Sequence, residues 1–265
     1  MIINPYVFNA PLLLDTYPNA AGAYSIRKLR TAYLGNCLRV RRSSDNAESD
    51  IGFVGSDIDT AALLSFVGAN NGFVTKFYDQ SGNGNDLTQA TAARQPQIIA
   101  AGTILTLNGK TSLRCQTVLQ GFQSALGFSF SQCYIATVFN RTGRINTNDT
   151  LWAFNGAPYN QLYSNTTNWS LFYGSALNTT IPLSTSQKLI SQNYNNVTTF
   201  LYDNSVLNSQ VNTNFTVTNL VLDVFGFFAF NYGSQGNLQE FVIYTTNQTT
   251  NRAAIETEIK NFYGI

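Results

Sequence analysis

The chain contains no histidine. That absence removes Ser-His-Asp and Cys-His nucleophilic machinery, histidine-ligated zinc and imidazole acid/base chemistry together. Any catalysis has to rest on carboxylates, tyrosine, lysine or a bound ion. Charge is scarce as well: Asp, Glu, Lys and Arg make up 11% of the 265 residues, under half the usual share of about 25%. A net charge of +1 gives no general attraction to nucleic acid or anionic lipid, so neither is an expected partner. Cysteine is sparse and odd in number. Cys37, Cys115 and Cys133 match neither a disulfide framework nor a zinc knuckle and read as buried thiols. No run approaches the roughly 20 apolar residues of a membrane span. The start, "MIINPYVFNAPLLLDTYP", lacks basic residues and is interrupted at Asn4, Pro5, Asn9 and Pro11, so it does not read as a secretory signal.

What replaces charge is amide and hydroxyl, with 31 Asn and 29 Thr. Apolar residues are 44% of the chain, enough for a sizeable core and unlike a disordered composition. "SDIDTAALLSFVG" has Asp57 or Asp59 as an N-cap and Gly68 as a stop, which predicts a helix. "GAYSIRKLRTAYL" spaces Ile26, Leu29 and Tyr33 as a helix would, predicting a short one over 22–34. "CLRVRRSSD" and "NGFVTKFYD" read as strands, and Asn108-Gly109 between apolar runs as a hairpin turn. From residue 98 onward short β-prone runs follow one another until "NRAAIETEIKNFYGI", where Ala254, Ile255, Ile259 and Phe262 share a helical face. The expected fold is mainly β: a β-sandwich (jelly roll) with a few short helices, including a C-terminal one. The first 20 residues read as an extended arm and 21–265 as one domain.

Two stretches resemble known families. "GNLQEFVIYTTNQTTNRAAIETEIKNFYGI" is similar to the ending of laminin-G-like or concanavalin A-like jelly rolls, where a last strand leads through a polar turn to an Arg-bearing helix. "AYSIRKLR", "LRVRRSSDN", "FYDQSGNGNDLTQA" and "LTLNGKTS" follow the order of the catalytic domain of α-L-arabinofuranosidase B, glycoside hydrolase family 54. Similar segments also occur in structural proteins of bacteriophages. The resemblance covers residues 22–115 and implies a concanavalin A-like sandwich with sugar-hydrolysing ancestry. The family's catalytic pattern is not repeated. No Asp-x-Glu occurs, Ala229 stands where the family has its acid, "TLWAFNG" occupies the place of its cysteine pair, and Asp86 replaces a common His. Retaining glycosidases need two carboxyls about 5–5.5 Å apart. Between residues 145 and 251 only Asp149, Asp203, Asp223 and Glu240 are available; Asp203 falls in a turn, Glu240 faces outward from a strand, and Asp223 alone reads as a buried acid.

Asp79, Ser81 and Asn83 followed by Gly84 match the first half of a calcium loop, but the twelfth position is Ala90 rather than Glu. The plainer reading is a structural loop. Asp79, Asn83 and Asn85 form Asx-turns beside Asp86, and Gly82 and Gly84 are left-handed. Calcium at Asp79, Ser81 and Asn83 is the alternative, and no other cofactor is expected. Trp152, Tyr159, Tyr163, Trp169 and Tyr173 lie among Asn, Ser and Thr, a mixture suited to stacking on sugar rings and bonding their hydroxyls. The expectation is therefore a non-enzymatic, lectin-like protein of a virion surface, either a capsid decoration or spike or a tail receptor-binding part. It would reach the outside through particle assembly, as an oligomer in contact with other virion proteins and a host glycan. The alternatives are an active glycoside hydrolase on arabinose-containing glycans and a purely structural capsid protein.

Overall fold

The computed structural model describes residues 11–265 except 118, 145–148, 157–159, 165–166, 174–175, 213–214 and 231. It is the expected β-sandwich. One antiparallel sheet runs Glu48–Ile51, Leu38–Arg42, Gly72–Phe77, Leu87–Thr88, Phe122–Phe130, Val217–Val224, Asp149–Asn155, Asn160–Ser164, Asn168–Tyr173 and Ala176–Pro182. The other is centred on the long strand Tyr232–Tyr244. Gly22–Ser25 and Leu113–Cys115 share one edge of that strand; Cys133–Arg144, Lys188–Tyr194, Thr198–Asp203 and Val206–Asn212 follow from its other edge. Gln97–Ala100 joins the sheets by pairing with a strand of each.

Two apolar cores follow from this layering. Leu38, Phe77, Phe122, Phe154 and Leu222 of the first sheet meet Ile135, Phe241 and Ile243 of the second. The opposite face of the second sheet, carrying Tyr134, Val138, Val242 and Tyr244, packs under the helix Arg252–Tyr263 and the short helix Leu13–Thr16. Being covered on both faces explains why "FVIY" is apolar without alternation. Local signals hold where they were strong. Asp59 caps the helix Thr60–Val67 by accepting from the Ala62 amide at 2.8 Å. Asn108 and Gly109 turn their hairpin with φ of 50° and 74°, the signs a two-residue type I′ turn demands.

Three expectations are corrected. No helix spans 22–34; Gly22–Ser25 pairs residue for residue with Glu240–Ile243, and long-range strand pairing overrides the local period. The arm expected over 1–20 is not extended where it is described. Leu13 and Leu14 are buried in the second core, and residues 1–10 lie outside the described residues. On the C-terminal helix Ala254 is exposed, whereas Ile255, Glu256, Ile259 and Tyr263 are buried.

Glu240 does point to the outer face of its strand, but the C-terminal helix covers that face and buries it completely. There it meets Arg27, whose Nε and Nη2 donate to its carboxylate at 2.8 and 3.0 Å. Arg27 also donates to Glu258 of the helix at 2.6 and 2.8 Å. The Ser25 and Tyr263 hydroxyls complete the shell around Glu240 at 2.7 and 3.1 Å. Breaking a buried pair from one side strands the other charge, at about 3–5 kcal/mol. Arg27→Met is therefore expected to lower unfolding free energy by about that amount, read from urea denaturation at neutral pH; an unchanged midpoint would show the pair to be dispensable.

Candidate functional site

Residues directly opposite one another in a sheet point to the same side. The registers of the first sheet thus line up one row, polar except at Ala153: Asp50, Arg39, Lys76, Thr88, Gln123, Asp223, Ala153 and Gln161. The neighbouring row, Leu38, Phe77, Leu87, Leu222 and Phe154, faces the core. Alternation alone therefore delivers a polar surface on one side of the sandwich. Exposure falls along it: Arg39, Lys76, Thr88 and Gln123 are half-buried, and Asp223 is fully buried.

Asp223 is the chemically distinctive member. Its Oδ1 accepts from the Gln123 amide at 2.9 Å and its Oδ2 from the Phe228 backbone N–H at 3.0 Å. No cation is paired with it among the described residues. Burial penalises its carboxylate form more than these two donors favour it, and its pKa is pushed up from 3.8 to about 6. It therefore carries a proton at mildly acidic pH, as a general acid must.

A second carboxylate does not flank it. Its lateral neighbours are Gln123 and Ala153. All Asp and Glu of the chain lie among the described residues. Asp149 sits in the adjoining strand, but its register with Ser164, in step with Trp152 and Leu162, puts it on the core-facing side. There it is fully buried and held by Arg141 at 2.6 Å. Asp203 ends a strand and pairs with Lys188. Ala229 is exposed in the short turn Phe228–Phe230. Gln123, the partner that orients Asp223, escaped the sequence reading because "GFQSALG" carries no local mark of a site and the contact spans a hundred residues.

The expected sugar-binding aromatics do not gather. Trp152 and Trp169 are only 2% and 1% exposed, and Trp169 stands edge-on to Phe139 at 5.3 Å. Their indoles are core packing and cannot stack on a sugar. Tyr163 is half-buried against Phe172. Tyr159 and the Tyr173 side chain lie outside the described residues.

The loop at 79–86 keeps part of the plainer reading: Asp79 makes the Asx-turn with the Ser81 amide, whereas the Asn83 and Asn85 side chains bond to backbone of other segments. Asp79 Oδ1 accepts from the Ala23 and Ser81 amides, each at 2.9 Å, and Oδ2 from the Ser81 hydroxyl at 2.7 Å and the Asn85 amide at 3.1 Å. Asn83 turns its Nδ2, a donor, toward the Ala20 carbonyl at 3.0 Å. Asn85 is buried and accepts from the Leu126 amide at 2.7 Å, while Asp86 takes the Asp79 amide at 3.0 Å. Gly82 and Gly84 have φ of 96° and 71°. Both Asp79 oxygens already have donors, which leaves calcium little to coordinate.

Residues 15–108 match the family described as Alpha-L-arabinofuranosidase B, catalytic. Alpha-L-arabinofuranosidase B of Aspergillus oryzae is 36% identical over 104 residues, covering 35% of this chain and 21% of that protein. The Alpha-L-arabinofuranosidase of Hypocrea jecorina is 39% identical over 74 residues, 28% of this chain and 15% of that protein. The chain thus spans about a fifth, or less, of the length of these curated relatives. An arabinofuranosidase complexed with arabinofuranosyl-alpha-1,2-xylobiose superposes with a TM-score of 0.73 at 17% identity, covering 93% of this chain and 64% of that one. A GH54 α-L-arabinofuranosidase soaked with a cyclic sulfate inhibitor gives 0.72 at 16% identity over the same shares of 93% and 64%. The fold of these enzymes therefore extends over nearly all of this chain.

These matches correct the functional expectation. The relatives are fungal arabinofuranosidases, so the non-enzymatic virion reading falls. With it go the bacteriophage link, the virion partners, the oligomer inferred from particle packing and the virion-surface location.

Two outcomes follow from the site. The raised pKa means that the fold holds Asp223 neutral. Its contribution is intact below pH 4 and lost as pH rises through about 6, at a cost on the order of 3 kcal/mol. Asp223→Asn, with Gln123 rotated to present its carbonyl, should raise the thermal midpoint over the parent at pH 8 and hardly at pH 4; an equal change at both would contradict a buried titrating acid. At the loop, a chelator should leave the midpoint unmoved, while Asp79→Ala strands buried amides and costs about 2 kcal/mol or more. A chelator-induced drop would instead restore calcium.

Proposed function

We propose that this chain is a glycoside hydrolase acting on arabinofuranosyl-bearing glycans, with Asp223 as the group that protonates the leaving oxygen. The observation that carries this reading is the match of residues 15–108 to the arabinofuranosidase catalytic family. Asp223 supplies a chemistry consistent with it, being a carboxyl still protonated at mildly acidic pH. With no carboxylate beside Asp223 to act as nucleophile, water is the attacking group. Its oxygen bonds to the anomeric carbon as the glycosidic C–O bond breaks. The Asp223 proton goes to the departing oxygen, and the proton shed by water returns through solvent to the carboxylate. For contact with a glycosidic oxygen, the sugar has to displace the Phe228 amide from the Asp223 carboxyl.

The test is hydrolysis of two substrates that differ in leaving group. Nitrophenolate departs with little help, whereas a sugar hydroxyl needs a proton. The protein should release arabinose from both arabinofuranosyl-xylobiose and 4-nitrophenyl arabinofuranoside. For the disaccharide-linked substrate the rate should fall as pH rises through about 6, and Asp223→Asn should cut kcat by about 100-fold or more, with a smaller loss on the nitrophenyl glycoside. No release from either between pH 4 and 8 would overturn the hydrolase reading. Equal losses on both would remove Asp223 from the acid role.

A further inference from the structure

The loop at 79–86 forms one wall of a hollow apart from Asp223. It is a cavity of about 430 Å³ bordered by Leu14, Asn19, Arg30, Ser81, Asn83 and Thr245 among others, a volume that suits a small ligand. None of its lining residues belongs to the row that leads to Asp223. Arg30 is the one ionisable side chain on its wall. We propose that this cavity binds a sugar acid, a small polyhydroxylated carboxylate, through the Arg30 guanidinium. This second site stands independently of the hydrolase reading.

A guanidinium presents several N–H donors in a rigid fork. At Arg30 one of them is used, from Nη1 to the Ser81 carbonyl at 3.0 Å, and no ion pair forms there among the described residues. Arg27, by contrast, has its fork closed by two carboxylates. The acids near Arg30 are already engaged. Asp15 accepts from the Leu12 and Thr31 amides and the Thr31 hydroxyl, and Asp79 from the donors given above. The place of the guanidinium is also built. A Cβ at position 82 would stand 2.7 Å from the same Nη1, so the left-handed Gly82 leaves Arg30 its room against the loop. The wall then sets the class of anion. One guanidinium with no lysine on the wall balances a single charge, and its planar fork matches two carboxylate oxygens better than a phosphate dianion. Asn19, Ser81 and Thr245 carry amide and hydroxyl groups of the kind that exchange hydrogen bonds with ligand hydroxyls.

Calorimetric titration of the full chain at neutral pH with sodium glucuronate, glucose and inorganic phosphate tests the site. Glucuronate should bind. Glucose, with a hydroxymethyl group in place of the carboxylate, should bind about ten-fold more weakly or worse, and phosphate should bind more weakly than glucuronate. Arg30→Met should weaken glucuronate binding by about ten-fold or more. Arg30→Lys should weaken it by about three-fold or more, because an ammonium cannot make the paired bonds. Thr245→Phe narrows the hollow without altering Arg30, and should lower affinity as well if Arg30→Met proves unstable. Absence of glucuronate binding, equal binding of glucose, tighter binding of phosphate, or unchanged affinity in both Arg30→Met and Thr245→Phe would overturn the proposal. None of these measurements involves turnover, so they succeed or fail separately from the hydrolase assignment.

Discussion

A guanidinium sealed beneath the C-terminal helix organises this molecule. Arg27 lies between Glu240 of the central strand and Glu258 of the helix, with its Cζ 4.6 Å from the Phe262 ring centroid. Taking such a charge out of water is expensive unless nearly every donor is met, and here four of its N–H···O contacts are made. The consequence is positional. The chain leaving the Gly22–Ser25 strand can pass only where Arg27 reaches both acids, so the edge strand, the central strand and the helix are held in one arrangement. The second core can then close over the outer face of the sheet.

The loop at 79–86 belongs to the same constraint. Gln80 donates to the Ser25 and Arg27 carbonyls at 2.9 and 3.0 Å and accepts from the Leu29 amide at 2.8 Å, while Asp79 accepts from the Ala23 amide at 2.9 Å. These side chains supply to residues 23–29 the partners that a helical ladder would otherwise have given. Backbone groups taken from water must be paired somewhere, and here they are paired through an Asp and a Gln fifty residues away. That is why a segment with helical spacing runs as strand and irregular chain.

The opposite side of the sandwich is governed by one buried acid, Asp223, which has no cation paired with it among the described residues. Keeping Asp223 buried without a cation lowers stability above pH 6, and the hydrogen bonds from Gln123 and Phe228 only moderate that cost. Groups held at such a disadvantage concentrate at functional sites. The likeness to solved arabinofuranosidases extends over the fold, and a fold does not by itself fix its chemistry. Asp223 stands out by its own environment.

Composition and periodicity determined the fold class, the helix capped by Asp59, the Asn108-Gly109 hairpin, the buried thiols and the Asx-turn at Asp79, because each is set by forces acting within a few residues or by the sum of apolar area. The absence of histidine likewise confined any catalysis to carboxylates, tyrosine, lysine or a bound ion before any contact was known. Tertiary structure alone decided which polar residues are buried. Glu240 alternates outward in its strand yet is enclosed by a helix, Trp152 and Trp169 sit among polar neighbours in sequence yet fill the core, and Gln123 meets Asp223 across a hundred residues. Burial and long-range register depend on which layer lies above a strand, and no property of the strand itself carries that information.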